Sequence, residues 1–298
     1  MNNTQIGVFS AFITILGWSS AGIFINLLPN LDALLIVAIR LCLSLFFIVP
    51  ILFLFQKNIL KYLNELKSTT TWMLGIILLF CYLLGTLAFQ MAPVGEVTIL
   101  MTISPLFVIL YNLIRNQIPK KSETLGVIIA IFGILIMTYN QLVFEESNSS
   151  DRLLGNILAM IVSILFTIYS IWNQSLNKKN KAPHSLSIAL STFIMGTLLL
   201  IILIGKETET ISSIGVDNLT ILFLFGIAIL STAIPTISYT VASQYLNPIL
   251  TTSILLLQPF IAILFALFFI HEIPDLLVIP GFVFILIGLF LIIKKPKK

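Results

Sequence analysis

Charged side chains inside long apolar stretches are the first candidates for chemistry in this sequence. Arg40 lies within such a stretch, eight residues past Asp32, and Glu96 follows closely after Pro93 at the start of another. A guanidinium can hold a carboxylate through two parallel hydrogen bonds. Arg40 therefore predicts either recognition of a substrate anion or a structural arginine that bonds to backbone carbonyls. For Glu96 we favour stabilisation of a helix N-terminus over a role in proton coupling, which stays open.

Uncharged polar and aromatic side chains in the other apolar stretches form a second set of candidates. Polar groups turn inward in a helix bundle, because an apolar environment offers them no partner. With Arg40 they give nine side chains expected to bind substrate in one cavity: Trp18, Arg40, Gln90, Thr98, Thr102, Tyr169, Asn173, Tyr239 and Gln258. Small hydroxylated residues also serve ordinary helix packing, which is the competing interpretation for each Thr.

Two prolines are expected to shape the helices beside this cavity. Pro105 and Pro259 each remove a backbone donor within an apolar stretch and free carbonyls one turn earlier, near Met101 and Leu255. Such carbonyls need a partner, which a polar cavity would supply. A kink that serves packing alone is the alternative.

The composition indicates that these stretches cross a membrane. The 298 residues are 58% hydrophobic and only 9% charged, against roughly 25% charged in an average globular domain. A soluble fold could not hide this much apolar surface, so the predicted partner is the lipid bilayer. The sequence pI near 9.0 does not indicate nucleic acid, because the basic residues flank the apolar stretches.

Charge alternates between successive connections, which predicts the topology. Most of the 16 Lys and Arg residues fall in four segments that contain Lys57, Lys61 and Lys67; Arg115, Lys120 and Lys121; Lys178, Lys179 and Lys181; and Lys294, Lys295, Lys297 and Lys298. The other connections hold most of the acidic residues. Lys and Arg near short loops stay in the cytoplasm. We therefore expect a multi-pass protein of the cytoplasmic membrane with both termini inside the cell.

Apolar stretches of about 20 residues predict an all-α protein with ten membrane-spanning helices. The expected spans are 6–28, 32–55, 72–91, 94–114, 124–141, 153–175, 185–204, 218–243, 248–270 and 275–293. An even number of spans agrees with two cytoplasmic termini. Cys42 and Cys81 both fall inside spans, where they are expected to pack as small apolar side chains.

Weak internal similarity divides the chain into two repeats of five helices, 1–146 and 147–298. Gly7, Trp18 and Asn26 recur in spacing as Gly155, Phe166 and Gln174; Gln90 and Pro105 recur as Gln244 and Pro259; Gly126 and Gly133 recur as Gly281 and Gly288. An odd number of spans in each repeat turns the second copy upside down. Inverted repeats allow two oppositely facing conformations around a central site.

Several of these residues, taken in order, resemble the EamA branch of the drug/metabolite transporter superfamily. They are Gly17-Trp18-Ser19-Ser20-Ala21, Arg40, Ile103-Ser104-Pro105-Leu106-Phe107, Leu257-Gln258-Pro259-Phe260-Ile261-Ala262, His271-Glu272, Gly281 and Gly288. Family members commonly carry an acidic residue before the second of these prolines, where this chain has Gln258. That departure argues against a mechanism that needs a carboxylate there.

The resemblance implies a secondary transporter of small metabolites, an exporter of amino acids or related compounds. Uptake of a metabolite would share every feature of the sequence, so direction stays open. A membrane-embedded enzyme is the rival from another class, but the sequence carries no catalytic constellation within the spans. We expect no cofactor and no metal, and either a monomer or a homodimer.

Overall fold

The structure, a computed structural model, describes residues 2–28, 31–55, 59–92, 94–137, 139, 149–204, 218–269 and 276–293. Every regular element in these ranges is a helix, as expected. The predicted repeat boundary at 146/147 and the His271-Glu272 pair lie outside the described residues, as do Pro93 and the C-terminal lysines.

Eight helices lie in the described residues of the first half of the chain. They are α1 (Asn3–Ser19), α2 (Ala21–Asn26), α3 (Ala33–Phe55), α4 (Ile59–Glu65), α5 (Thr69–Met91), α6 (Val94–Thr102), α7 (Ser104–Ile114) and α8 (Lys121–Met137).

The part of the second half that the structure describes holds seven α-helices and two short irregular turns. The α-helices are α9 (Ser149–Lys178), α10 (Ser185–Ile204), α11 (Asn218–Ala228), α12 (Ile234–Tyr245), α13 (Pro248–Ile254), α14 (Gln258–Phe269) and α15 (Val278–Ile293). A π-helical turn, Ile229–Ala233, joins α11 to α12, and a 3-10 turn, Leu255–Leu257, joins α13 to α14.

Eight segments of the described chain are long and apolar enough to cross a membrane. They are Asn3–Asn26, Ala33–Pro50, Thr69–Met91, Glu96–Ile114, Ser150–Lys178, Ser185–Leu203, Asn218–Tyr245 and Pro248–Phe269. The other two predicted spans coincide with shorter helices, α8 with 17 residues and α15 with 16. At 1.5 Å per residue the described parts of these two helices cover about 25 Å.

Two of the breaks within spans occur where the sequence places proline. Pro105 lies in the first turn of α7, and Ile103 interrupts the helix between α6 and α7. Pro235 follows the π-helical turn directly, at the start of α12. Proline is accommodated at these positions because the first turn of a helix needs no amide donor.

Helices of the two halves pack against each other in matching pairs. α1 packs on α12 and α5 packs on α9, while α3 packs on α10 and α8 on α15. The α8–α15 contact is close enough that a Cβ on Gly126 would lie 2.5 Å from the Gly288 carbonyl oxygen, and one on Gly133 the same distance from that of Gly281. Glycine at these positions permits backbone-to-backbone packing of the kind seen in membrane helices.

Large apolar side chains cover much of the outer surface of the bundle. Phe46 and Phe53 on α3 and Phe290 on α15 are more than 60% exposed. A soluble monomer rarely exposes so much apolar surface, whereas a bilayer accommodates it. The outer surface therefore fits contact with lipid, and the polar side chains lie within the bundle.

Candidate functional site

A cavity of about 50 Å³ lies in the middle of the bundle between the two halves of the chain. Helices α1, α2, α3, α5, α6, α9 and α14, together with the π-helical turn, supply its walls. Its lining residues are Trp18, Ala21, Ile25, Arg40, Leu78, Cys81, Tyr82, Gly85, Thr86, Phe89, Met101, Val162, Phe166, Ser231 and Gln258. Most of this wall is apolar or aromatic, and a few polar groups are gathered around Arg40 and Tyr82.

One wall of the cavity is fixed by a chain of hydrogen bonds. The Trp18 indole Nε1 donates to the Tyr82 hydroxyl at 3.4 Å, and that hydroxyl lies 2.5 Å from Thr236 Oγ1. Thr236 in turn donates to the Thr232 carbonyl oxygen at 2.5 Å. The chain joins α1, α5 and α12, so both halves of the molecule hold the aromatic wall in place.

Arg40 is the charged group of the cavity and is only 2% exposed. Its Nη2 donates to the Tyr82 carbonyl oxygen at 2.9 Å, and its guanidinium carbon lies 4.6 Å from the centre of the Tyr82 ring. Its Nε is buried without a hydrogen-bond partner among the described residues. None of the described residues that line the cavity is Asp or Glu.

Three of the nine predicted substrate-binding residues line this cavity: Trp18, Arg40 and Gln258. The Trp18 ring lies 4.9 Å from the rings of both Phe166 and Tyr239. The backbone of Gln258 is also tied to α1, because Ser19 Oγ donates to its carbonyl oxygen at 3.1 Å.

Three others, Tyr169, Asn173 and Tyr239, are fully buried beside the cavity but do not line it. The Tyr169 hydroxyl lies 2.6 Å from Thr240 Oγ1, and Asn173 Nδ2 donates to Ser243 Oγ at 2.6 Å. These bonds join α9 to α12, and they form a closed polar seam between the two helices.

The remaining three predicted residues, Gln90, Thr98 and Thr102, also lie away from the cavity wall. Gln90 Nε2 donates to the Leu31 carbonyl oxygen at 2.9 Å. Thr98 and Thr102 each donate to a carbonyl four residues earlier in their own helix, at 2.7 and 2.9 Å. Such bonds are the packing interpretation of a hydroxyl in a helix.

The two predicted helix-shaping prolines follow carbonyl groups that bond across helices. Ser104 precedes Pro105, and its carbonyl oxygen accepts from Thr167 Oγ1 at 3.1 Å. Gln258 precedes Pro259, and its carbonyl is the one that Ser19 reaches. In each case a hydroxyl of another helix bonds to the carbonyl directly before the proline, whereas the carbonyls that the prolines free are those one turn earlier, of Met101 and Leu255.

Tyr82, Cys81 and Thr86 on α5 line the cavity but are missing from the sequence-based set. The repeat spacing that relates Gln90 to Gln244 also relates Tyr82 to Thr236. That spacing is the signal that could have drawn attention to Tyr82. Cys81 is buried and Cys42 half-buried, and neither forms a disulfide.

Glu96 is buried near the start of α6 and pairs with Arg152 of α9. Arg152 Nε donates to Glu96 Oε2 at 3.0 Å, and Asn156 Nδ2 donates to the same oxygen at 2.7 Å. Glu96 therefore does more than stabilise its own helix, because it ties the first half of the chain to the second.

A polar cluster holds the connection after α4 against the start of α10. Glu65 Oε2 accepts from the His184 backbone amide and from Ser187 Oγ, both at 2.7 Å. His184 Nδ1 accepts from the Leu186 amide at 3.3 Å, and burial lowers the pKa of this imidazole below its ordinary value. Because the Ser187 hydroxyl donates to the carboxylate and not to the imidazole, the geometry is that of a helix cap.

A second, wider cleft of about 500 Å³ opens at the ends of α7 and α9. It is lined by exposed basic side chains, among them Arg115 and Lys178, together with polar side chains. We include none of its residues in the candidate site. Among the described residues, no group of three or more His, Cys, Asp or Glu side chains could hold a metal ion.

Comparison with known proteins places this architecture in one family. The pattern of the EamA-like transporter family matches residues 5–139 and again 153–294. An uncharacterized transporter of Clostridium kluyveri is 24% identical over 189 residues, which cover 63% of this chain but only 59% of that protein. The chain thus spans less than two thirds of the length of that relative.

A solved crystal structure supports the fold, with a TM-score of 0.79 at 14% identity over 97% of this chain and 98% of the other. The repeated match covers nearly the whole chain and agrees with the apolar helices, so the protein is a multi-pass protein of the cell membrane. The resemblance seen in the sequence is confirmed: the chain belongs to the EamA-like transporter family.

Proposed function

We propose that this protein is a secondary active transporter that exports small metabolites, amino acids or related compounds, by alternating access. The observation that carries the proposal is the central cavity, whose wall combines side chains of both halves of the chain. A site between two halves can open to one side when the halves rock in one direction and to the other side when they rock back. Its aromatic and apolar wall, with few polar groups, suits a small amphipathic molecule.

The proposal includes ten spans in two inverted repeats, 1–146 and 147–298. Side chains at equivalent repeat positions support it, because they meet each other near the cavity. Trp18 and its counterpart Phe166 lie in ring contact, and Tyr82 is hydrogen-bonded to its counterpart Thr236. A residue can touch its own counterpart only close to a two-fold axis, so this pairing is what inversion about the cavity would produce.

Bonds between helices also occur as equivalent pairs. The bond from Ser19 to the carbonyl before Pro259 has its counterpart in the bond from Thr167 to the carbonyl before Pro105. Gln90 donates to the Leu31 carbonyl ahead of α3, and Gln244 donates to the Pro183 carbonyl ahead of α10 at 2.8 Å. These equivalent hydrogen bonds support a common fold of the two halves, because similar composition alone would not produce them.

The test is transport by the purified protein in liposomes of one known orientation. Radiolabelled leucine, valine and their 2-oxo acids are loaded inside or supplied outside, and the movement of each is followed with and without a proton gradient. We expect movement from the cytoplasmic face outward that depends on the protein and saturates with concentration. Movement in the opposite direction would replace export with uptake. No protein-dependent movement for any of a broad panel of small metabolites would contradict the proposal.

A further inference from the structure

We infer that Arg40 binds a carboxylate and that the cavity selects small monocarboxylates with an apolar or aromatic body. This inference rests on the proposed function and names the substrate class of the same cavity. The guanidinium is held from one side by the Tyr82 carbonyl and ring, while its Nε is buried and unpartnered among the described residues. The Nε donor thus remains for an anion.

Charge balance carries the first step. A cation that is 2% exposed within a membrane protein is costly unless an opposite charge or a well-hydrated space lies beside it. The acidic side chain that is buried among the described residues, Glu96, is already engaged by Arg152 and Asn156. With no Asp or Glu among the described lining residues, the site carries an uncompensated positive charge. A bound anion would neutralise it.

The shape and lining of the cavity carry the second step. Space for about four water molecules, at 10–15 Å³ each, is available in this conformation. A carboxylate with a short branched chain is of this order, whereas a nucleotide or a sugar phosphate is not. Phe89, Phe166 and Met101 offer the body of such a ligand apolar contact, and Gln258 offers one polar group opposite.

The absence of a lining carboxylate has a further consequence for amino acids. A zwitterion would place its ammonium group in a site that already holds an unpaired guanidinium, and no described acidic side chain is there to receive it. Like charges that are poorly solvated repel strongly. The cavity therefore favours the 2-oxo or unsubstituted acid over the amino acid with the same skeleton.

Comparison of equivalent positions in the two halves argues against a purely structural role for Arg40. Leu31 and Pro183 are the equivalent acceptors ahead of α3 and α10, and the same number of residues later lie Arg40 and Thr192. Thr192 bonds only to backbone carbonyls, those of Ile188 at 3.0 Å and Gly75 at 3.3 Å. At the corresponding position of the second half an uncharged threonine packs between the helices. The packing of the helices therefore does not require a charged side chain at this position.

Three ligands with one carbon skeleton test the inference: 3-methylbutanoate, its carboxamide, and valine. Binding is measured on the purified full chain as ligand-induced thermal stabilisation, which does not depend on transport. We expect 3-methylbutanoate to stabilise the protein and both other ligands to bind about 10- to 100-fold more weakly, as loss of a charge-assisted bond implies. Equal stabilisation by the carboxamide, or none by the carboxylate, would overturn the inference.

Variants of two arginines sharpen the result. Arg40→Gln should lose the preference for carboxylate over carboxamide, and Arg40→Lys should bind carboxylate more weakly because a lysine lacks the planar fork. Arg115→Gln, the same change at an exposed arginine, is the matched control and should behave as the unaltered protein. If Arg40→Gln does not fold, Arg40→Lys and the comparison of the three ligands still test whether Arg40 binds a carboxylate. Binding of carboxylate without transport in liposomes would contradict the proposed function alone. Equal transport of the carboxylate and its neutral carboxamide by the unaltered protein would contradict this inference alone.

Discussion

Two glycines on α5 illustrate how position within one helix decides what a side chain can do. A Cβ on Gly85 would face the cavity and meet just the end of a flexible side chain, Met101 Cε, at 3.0 Å. A Cβ on Gly75 would lie 2.2 Å from Ser191 Oγ and 3.2 Å from the Thr192 amide nitrogen. The first glycine keeps the cavity open, and the second permits helix packing.

The two positions therefore predict opposite failures for the same substitution. Gly85→Leu should fold, because it adds a good helix former worth up to about 1 kcal/mol, but its side chain should fill the cavity and abolish transport. Gly75→Leu should lower expression and thermal stability through the clash with α10. Both are checked by fluorescence-detected size exclusion and by liposome transport.

Ile76→Phe, which adds bulk at an exposed position of the same helix, is the control that should keep both stability and transport. Normal transport by Gly85→Leu would exclude this cavity as the pathway.

At the scale of helices, the buried pair of Glu96 and Arg152 connects α6 with α9. Glu96 is 5% exposed at its side chain and Arg152 is 23% exposed. The carboxylate therefore needs the ion pair to compensate its charge, whereas the guanidinium can also be solvated by water. Removing one member of a buried ion pair lowers stability strongly, because the other charge is left without a partner. Replacing both members costs much less stability.

A double-mutant cycle on this pair should show that asymmetry. Arg152→Gln should cost roughly 3 kcal/mol because a buried carboxylate loses its counter-charge, and Glu96→Gln should cost less. The double variant should be more stable than Arg152→Gln alone. Thermal unfolding of the purified protein measures the three changes, and Lys120→Gln, which removes an exposed pair with Glu123 at 3.8 Å, should have little effect. Strictly additive losses would contradict a direct coupling of the two side chains.

At the scale of the whole molecule, the sequence predicted the helical membrane architecture better than the site. Apolar length alone located eight of the long helices, because twenty apolar residues have few other uses. It could not say how far each helix is rotated about its axis. Tyr239 and Asn173 are polar groups that turn inward as expected, yet they bond across α9 and α12 instead of lining the cavity. Tyr82 escaped notice because one hydroxyl in an apolar helix has no local pattern.

The orientation of the whole bundle is the remaining prediction, and it follows from the alternation of charge. With both native cysteines replaced by alanine, Pro119→Cys and Asn180→Cys should resist an impermeant thiol reagent added to intact cells. Ser147→Cys and Thr208→Cys should react. Basic connections are retained in the cytoplasm, and an odd number of spans in each half then places the link between the halves outside. Permeabilised cells are the control, in which all four cysteines should react. Labelling of one of Pro119→Cys and Asn180→Cys but not the other in intact cells would mean that the halves are not inverted as proposed, and the two-fold relation through Trp18 would lose its functional meaning. Labelling of both, with Ser147→Cys and Thr208→Cys protected, would reverse the predicted orientation of the bundle.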